Sequence, residues 1–261
     1  MAKSRIVKIM EHPQKSVELF HLLFLRQLGE KLESNLYAVK GGCNLRFFFK
    51  SLRYSEDLDL DVKTVAKETL RKKVSKILES QNFRQILSMR GIGIDSFTEA
   101  KQTDTTQRWK LSLKLLDIPM PLPTKIEFSR RGMEEGIKLE FIDSEVIQRH
   151  QLYPILTTHY TQEAAFCQKV DALIHRTEVQ ARDIFDLQWL LNRGLKIQLP
   201  KPLFEKLDVA IENALTVDFA EFKARVVAYL MEEYQEYYNS PAVWNEIQAK
   251  VISALEGMKA Q

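Results

Sequence analysis

A glycine pair and a row of alternating carboxylates limit most strongly what this chain can fold into. Gly41 and Gly42 end a short apolar run, and Asp57, Asp59 and Asp61 then alternate with leucines. Side chains of a strand alternate between its faces, so the three aspartates share one face and the leucines enter a core. Clustered carboxylates repel one another and are costly to desolvate, so this face meets either bulk water or a cation. Mg²⁺ with a nucleotide is the natural candidate.

Length and composition predict a folded protein of ordinary charge. The 261 residues suffice for one large domain or two modest ones, and the 45% hydrophobic content with few Gly and Pro excludes a disordered chain. A net charge of +3 does not by itself indicate a nucleic-acid partner. Two basic clusters, Arg71-Lys72-Lys73 and Arg130-Arg131, either contact phosphates or form a solvated surface.

The cysteines and the apolar runs indicate where in the cell the protein is expected. Cys43 and Cys167 form neither a disulfide framework nor a zinc-binding spacing. The chain starts with Met-Ala-Lys-Ser-Arg, has no signal-peptide apolar core there, and contains no apolar run of membrane-spanning length. We therefore expect a cytoplasmic protein with no membrane partner.

Periodicity in the first half predicts a mixed sheet with helices. Helical spacing covers 13–32, 44–50 and 65–80, and strand-like runs cover 36–39, 57–62, 83–89, 93–99, 108–115 and 124–129. The residues 105–108 are the expected hairpin connection, and Pro119, Pro121 and Pro123 interrupt the pattern before the last strand.

After about Ser144 helical periodicity dominates, with little strand signal. Candidate helices cover 161–176, 182–191, 202–215, 219–234 and 241–255. The predicted fold class is α+β. A mixed β-sheet flanked by helices is expected in residues 1–145, and a helical bundle that completes the active-site cleft is expected in residues 146–261.

Three further features strengthen the hypothesis of a nucleotide site. Without Cβ atoms, Gly41 and Gly42 let backbone N–H groups approach a phosphate, although a tight turn explains them equally well. Cys43 is interpreted as a small residue lining the nucleotide pocket and not as a nucleophile. Glu127 alternates with apolar neighbours, so it either completes the metal site with Asp57 or is a half-exposed strand residue.

Charged residues of the helical half have two interpretations. Lys169 and Arg176 are seven apart, and Asp183 and Asp186 are three apart, so each pair lies on one helical face. The four side chains either interlock as an ion network or serve a nucleotide. In the second case Lys169 meets a triphosphate, and Asp183 or Asp186 orients that lysine or a substrate hydroxyl.

Four segments in this order resemble the motifs of AbiEii/AbiGii-type nucleotidyltransferase toxins. They are Lys40-Gly-Gly-Cys-Asn-Leu-Arg, Arg53-Tyr-Ser-Glu-Asp-Leu-Asp, Lys169 to Arg176, and Arg182-Asp-Ile-Phe-Asp-Leu. That family belongs to the DNA polymerase β-like nucleotidyltransferase superfamily, and its MenT members add nucleotides to the acceptor ends of tRNAs. The resemblance implies an N-terminal nucleotidyltransferase domain.

The resemblance also implies roles for individual residues. Asp57 and Asp59 would bind metal, Ser55 would lie near the phosphates, and Lys169 and Asp186 would have triphosphate or catalytic roles. Two positions depart from the pattern. Cys43 replaces a serine or threonine, and Glu127 stands where the superfamily often has aspartate.

These features predict an Mg²⁺- or Mn²⁺-dependent enzyme that transfers an NMP from an NTP to an acceptor. A tRNA 3′ end is the first expectation, in a toxin–antitoxin or phage-defence system with a cognate antitoxin. Alternatives are a protein or small-molecule acceptor, or a non-catalytic nucleotide- or RNA-binding module.

Overall fold

The structure is a computed structural model that describes residues 13–116, 118–133, 135–194 and 197–259. Within these ranges the chain forms a seven-stranded mixed β-sheet with associated helices, followed by a region built of helices. The predicted α+β class is confirmed.

The sheet gathers strands from distant parts of the sequence. The strands are β1 (Tyr37–Lys40), β2 (Leu58–Val62), β3 (Ile92–Gln102), β4 (Thr106–Leu115), β5 (Ile118–Ser129), β6 (Ile137–Phe141) and β7 (Leu156–Tyr160). Their order across the sheet is β3-β4-β5-β2-β1-β7-β6. The pairs β1–β7 and β2–β5 are parallel and the other neighbours are antiparallel. The carboxylate strand β2 therefore lies at the centre of the sheet.

Helices lie beside the sheet and make up most of the region that follows it. They are α1 (Pro13–Gly29), α2 (Gly41–Phe48), α3 (Lys67–Glu79), α4 (Gln81–Ser88), α5 (Ser144–Arg149), α6 (Gln162–His175), α7 (Ala181–Leu191), α8 (Lys201–Phe204), α9 (Leu207–Leu215), α10 (Phe219–Arg225), α11 (Glu232–Tyr238) and α12 (Pro241–Lys259). Short 3-10 helices cover Ser34–Leu36 and Val227–Tyr229. No helix in the described ranges has the length and apolar character needed to cross a membrane.

Burial along β2 confirms the alternation expected from the sequence. Leu58, Leu60 and Val62 are at most 2% exposed and belong to the core formed by the sheet with α1, α3 and α4. A second apolar core lies within the helical region. Helix α2 contributes to both cores, since Phe47 packs in the first and Leu45 in the second. The helix that begins with the glycine pair therefore packs against both halves.

The strand predicted over 83–89 is wrong, because these residues belong to α4. Ser80 caps this helix by accepting a hydrogen bond from the Phe83 N–H group. Phe83 and Leu87 are four residues apart and fully buried, so the apolar spacing is helical.

The prolines predicted to interrupt the pattern lie inside a strand. Pro119, Pro121 and Pro123 belong to β5, which pairs with β4 along most of its length. Only the later part of β5, from Ile126 to Ser129, pairs with β2. The proline-containing part therefore has one free edge, where a missing N–H group costs no hydrogen bond of the sheet.

Helices dominate after Ser144 as predicted, but the sequence pattern revealed neither β7 in this part of the chain nor β6 before it. Strand β7 lies beyond Ser144 and inserts between β1 and β6, so the sheet extends past residue 145. Strand β7 contains mostly polar side chains, so it shows no alternation of apolar and polar residues. Thr157 and Thr158 are buried and donate hydrogen bonds to Tyr37 Oη and the Ser34 carbonyl.

Three predicted boundaries shift. The hairpin connection is 103–105 and not 105–108, because Thr106 already pairs with Ser129. The predicted helix 202–215 is divided into α8 and α9, and the predicted helix 219–234 into α10, a 3-10 turn and the start of α11.

A buried charge cluster fixes α1 against α2. Glu18 Oε2 accepts a hydrogen bond of 2.5 Å from Arg46 Nε, and Glu18 Oε1 lies 2.8 Å from His150 Nε2. All three side chains are at most 4% exposed. Burial alone would raise the pKa of Glu18, but the hydrogen bonds and charges of His150 and Arg46 lower it to about 2. The cluster thus stabilises the ionised carboxylate.

We expect Glu18→Gln to lower the free energy of unfolding by about 3 kcal/mol at pH 7, because a buried Arg46 loses its counter-charge. The stability that this carboxylate contributes is complete above its ordinary pKa of 4.5 and is lost as the pH falls towards about 2. The difference between variant and parent should therefore shrink across that range. Urea-induced unfolding followed by circular dichroism measures it.

The matched control is Glu33→Gln, which removes an exposed carboxylate that caps no helix through its side chain. It should change the free energy of unfolding by less than about 0.5 kcal/mol at either pH. A Glu18→Gln protein as stable as the parent at pH 7 would contradict the assignment.

Candidate active site

The glycine pair brings the start of a helix close to the carboxylate strand. Both residues belong to the first turn of α2 and do not form a separate turn before it. Gly41 has φ of +65°, and a Cβ atom there would lie 3.1 Å from Asp59 Oδ2. A Cβ atom at Gly42 would lie 2.6 Å from Ser55 Oγ. Free N–H groups of a helix N-terminus suit a phosphate, so the glycines allow that terminus to lie beside Asp59.

Sheet pairing places the predicted carboxylates next to one another. Asp59 is opposite Glu127 in the parallel pair of β2 with β5, and opposite Lys40 in the pair of β2 with β1. Asp57 Oδ1 accepts the Lys125 N–H group at 3.1 Å, and Lys125 Nζ lies 2.8 Å from Asp57 Oδ2. The sheet therefore assembles residues that are distant in sequence.

Two carboxylates near Asp59, those of Glu127 and Asp61, are each paired with a basic side chain. Arg108 Nε donates to Glu127 Oε2 at 2.5 Å. Asp61, the third aspartate of the row, is buried and accepts hydrogen bonds from Lys40 Nζ and Tyr160 Oη at 2.5 and 2.6 Å. Asp61 therefore has a structural partnership.

Asp59 differs from its neighbours. Among the described residues, no cation lies within 4 Å of its carboxylate and no hydrogen bond reaches it. Burial raises the pKa of Asp59, and the negative charges of Asp57 and Glu127 raise it further against the opposing Lys125 and Lys40. A cation entering from the cleft would relieve this accumulation of negative charge.

The carboxylates of Asp57, Asp59 and Glu127 are the type of ligand that a hard divalent cation binds. In the described part of the chain, no three His, Cys, Asp or Glu side chains stand close enough together to hold a metal as placed. Asp57 and Glu127 instead contact Lys125 and Arg108, so binding would require them to exchange these partners. Carboxylate oxygens are the ligands that Mg²⁺ and Mn²⁺ prefer. Asp59 lies opposite Glu127 in the sheet and two residues after Asp57.

A buried ion network connects the helical half to the segment before β2. Lys169 Nζ lies 2.9 Å from Asp183 Oδ1 and 2.6 Å from Asp186 Oδ2. Arg53 Nη2 donates to both oxygens of Asp186 at 3.1 and 3.3 Å, and Arg176 Nη1 lies 3.1 Å from Asp183 Oδ2. Burial would raise the pKa of Asp186, but Arg53 and Lys169 outweigh it and lower the pKa. The network expected in one interpretation is present.

A cleft of about 590 Å³ brings the two halves together. Its lining includes Gly41 and Asp59 from the first half and Lys169, Arg176 and Asp183 from the helices. Lys169 is thus both a member of the ion network and a lining residue of the cleft. The two interpretations of this lysine are compatible in the structure.

The side chain of Cys43 does not line this cleft. It is 1% exposed and packs in the core, with Sγ 3.2 Å from the Asp57 carbonyl oxygen and 3.7 Å from His21 Nδ1. Burial raises the pKa of the thiol well above its ordinary value. The structure therefore places the side chain of Cys43 in the core and not among the lining residues of this cleft.

Ser55 lies under the start of α2. Its hydroxyl donates to the Asp57 carbonyl at 2.9 Å and occupies the space that a Cβ atom at Gly42 would need. Ser55 therefore supports the turn into β2.

Sequence reasoning assigned no role to Arg53, Lys125 and Arg108. Arg53 stands in one of the quoted motifs, and this was the one available signal for it. Lys125 shares the strand face of Glu127, so alternation could have placed it at the site. Arg108 is brought opposite Glu127 only by the register of β4 and β5.

Comparison with known proteins agrees with the resemblance found in the sequence motifs. The family model described as "Nucleotidyl transferase AbiEii toxin, Type IV TA system" matches residues 23–246. No curated protein sequence matches the chain. Among solved structures, JHP933 from Helicobacter pylori is 18% identical with a TM-score of 0.59, covering 95% of this chain and 96% of that one. MenT4, a nucleotidyltransferase toxin from Mycobacterium tuberculosis, is 18% identical with a TM-score of 0.61, covering 93% and 82%. At these identities the structures demonstrate a common fold.

We expect Gly42→Ala to lower the free energy of unfolding by about 1–3 kcal/mol, because the added methyl group displaces Ser55 from its place under α2. Thermal and urea unfolding measure the change. The control is Gly257→Ala in α12, where a Cβ atom meets nothing within 4 Å. That change should stabilise the protein by about 0.5–1 kcal/mol. Equal stability of Gly42→Ala and the parent would contradict the proposed close approach.

We expect Asp186→Asn to lower the free energy of unfolding by about 3–5 kcal/mol, because Arg53 and Lys169 stay buried without this charge. Asp208→Asn is the matched control, since Asp208 is 70% exposed and pairs with Lys259 at the surface. It should cost less than about 1 kcal/mol. If both variants unfold at the same urea concentration, the network around Asp186 contributes no stability.

Proposed function

The chain belongs to the AbiEii family of nucleotidyltransferase toxins of type IV toxin–antitoxin systems, and we propose that it transfers a nucleoside monophosphate from an NTP to a tRNA 3′ end. The observation that carries the proposal is the carboxylate of Asp59, which has no ion-pair partner among the described residues. It lies beside the first turn of α2 and in one cleft with Lys169. A terminal hydroxyl of the acceptor attacks the α-phosphorus, and the bond to pyrophosphate breaks.

Asp57, Asp59 and Glu127 would hold Mg²⁺ or Mn²⁺. A bound divalent cation would lower the pKa of the attacking hydroxyl and offset the charge of the departing pyrophosphate. In this proposal Glu127 also accepts the hydroxyl proton, since it lies opposite Asp59 in the sheet. Lys125 and Arg108 balance the carboxylates when no cation is bound.

The first turn of α2 and Lys169 would bind the triphosphate. Gly41 opens the approach to the helix N–H groups, which attract anions together with the helix dipole. The ammonium of Lys169 is a compact charge suited to the β- or γ-phosphate. Asp183, which also lines the cleft, and Asp186 fix the position of this ammonium through ion pairs of 2.9 and 2.6 Å.

The acceptor would enter the same cleft along basic side chains. Lys40, Arg131 and Arg176 are lining residues and come from both halves of the chain. Their positive charges suit the phosphate backbone of an RNA terminus. In this proposal a cognate antitoxin counters the toxin, and phage defence is the biological setting.

Three outcomes of one assay distinguish the possible activities. Purified protein is incubated with Mg²⁺, total tRNA and each of the four labelled NTPs in turn. A labelled RNA band supports the proposal. A labelled protein band indicates a protein acceptor, and tight NTP binding without transfer indicates a non-catalytic module.

We expect Asp59→Asn to reduce transfer by about 10³-fold, since a metal ligand worth several kcal/mol in the transition state is lost. Its melting temperature should not fall, because the change removes repulsion with Asp57 and Glu127. Single-turnover transfer of label measures the rate.

The control for that experiment is Asp95→Asn, which changes an exposed aspartate of β3 and should leave transfer unchanged. A folded Asp59→Asn protein with normal transfer would remove this residue from the proposed metal site.

A further inference from the structure

Among the described strands, β6 is the last one of the sheet on its side. In the part of the chain that the structure describes, no strand lies beyond it. Residues 138–141 are all exposed, and Leu139 and Phe141 are 51% and 61% exposed. Leu156 of the neighbouring strand pairs with Phe141 and is also exposed. An apolar edge of this kind is prone to pair with another strand.

The other free edges of the sheet are protected against such pairing. Strand β3 has irregular register at two places, and its Glu99 is held by Arg71 and Ser75 from α3. The free part of β5 contains three prolines. Strand β6 contains no proline and pairs with β7 in unbroken register. Of these edges only β6 has neither a proline nor an irregular register.

Hydrogen bonds near the ends of β6 define which groups point outward. Thr161 N–H donates to the Gly136 carbonyl, and Ile142 N–H donates to the Ile155 carbonyl, both in the register of β6 with β7. Since the pattern alternates in an antiparallel pair, residues 138 and 140 bond to β7. The N–H and C=O groups of Ile137, Leu139 and Phe141 therefore face the open side.

The sequence of β6 is complementary to itself in the antiparallel direction. Pairing two copies about a two-fold axis at Leu139 places Ile137 opposite Phe141 and Lys138 opposite Glu140. The outward residues then form hydrogen-bonded pairs, and Lys138 faces Glu140 in the closer, non-hydrogen-bonded pair. Opposite charges at such positions stabilise a sheet, and symmetry supplies the contact twice.

We propose that β6 pairs with β6 of a second copy of this chain and forms a symmetric dimer with one continuous sheet. Leu139 then meets its counterpart, and Phe141 of each copy lies opposite Ile137 of the other on the same face, with Leu156 beside Phe141 on the neighbouring strand. The two Lys138–Glu140 pairs lie on the other face and select the register. The interface lies apart from the cleft, because none of these residues lines it.

The test is the mass of the full chain in solution by analytical ultracentrifugation over a wide concentration range. The expected result is a reversible equilibrium between the 30.4 kDa chain and a species of twice that mass. A parent protein that stays monomeric at every concentration overturns the proposal.

Charge reversal identifies the surface. Lys138→Glu and Glu140→Lys each place like charges opposite one another, so each variant alone should dimerise at least about tenfold more weakly. An equimolar mixture of the two restores opposite charges across the interface and should dimerise like the parent. Because recovery requires both proteins to be folded, it excludes misfolding as the cause.

The matched control is Lys114→Glu, the same change at an exposed position of β4, which should dimerise like the parent. If the parent dimerises but neither β6 variant weakens it, the dimer uses another surface and the proposal fails.

Discussion

The guanidinium of Arg53 is the contact on which the arrangement of the site depends. It is buried, it binds both carboxylate oxygens of Asp186, and its Nη2 would lie 3.1 Å from a Cβ atom at Gly42. One side chain thus meets both the first turn of α2 and the helical half. The backbone of Arg53 also forms an isolated bridge with Leu230. Because removing a buried charge partner is costly, this contact holds the walls of the cleft in a fixed relation.

The carboxylate row illustrates how a sheet tolerates concentrated negative charge. Asp57, Glu127 and Asp61 each contact a different cation, and none of the three cations lies on the same strand as the carboxylate it meets. Such pairing lowers the cost of bringing like charges together at a part-buried site. Asp59 has no such compensation among the described residues. The site therefore concentrates its unbalanced charge at one residue, beside a helix N-terminus that attracts anions.

Residue periodicity was sufficient to predict most regular helices and the central strand, because the geometry of these elements repeats every few residues. The alternation of Leu58, Asp59 and Leu60 correctly predicted a strand with a buried and a polar face. Helical spacing predicted α1, α3, α6, α7 and α12. Periodicity failed at β7, since Thr157 and Thr158 are polar yet buried through hydrogen bonds with distant groups. Periodicity also failed at residues 83–89, because a short apolar run fits a helix as well as a strand. The cap residue Ser80 is the feature that favours a helix there.

The sequence by itself determined the order of the motifs and the shared face of the aspartates. These properties depend on strand and helix geometry and on neighbours in the chain. Only the tertiary structure decided that Glu127 lies opposite Asp59, that Arg108 and Lys125 compensate the carboxylates, and that Cys43 points into the core. It also placed Lys169 in a cleft with Asp59. Strand order and register set these contacts, and both depend on pairing between segments far apart in the chain, which local periodicity does not encode.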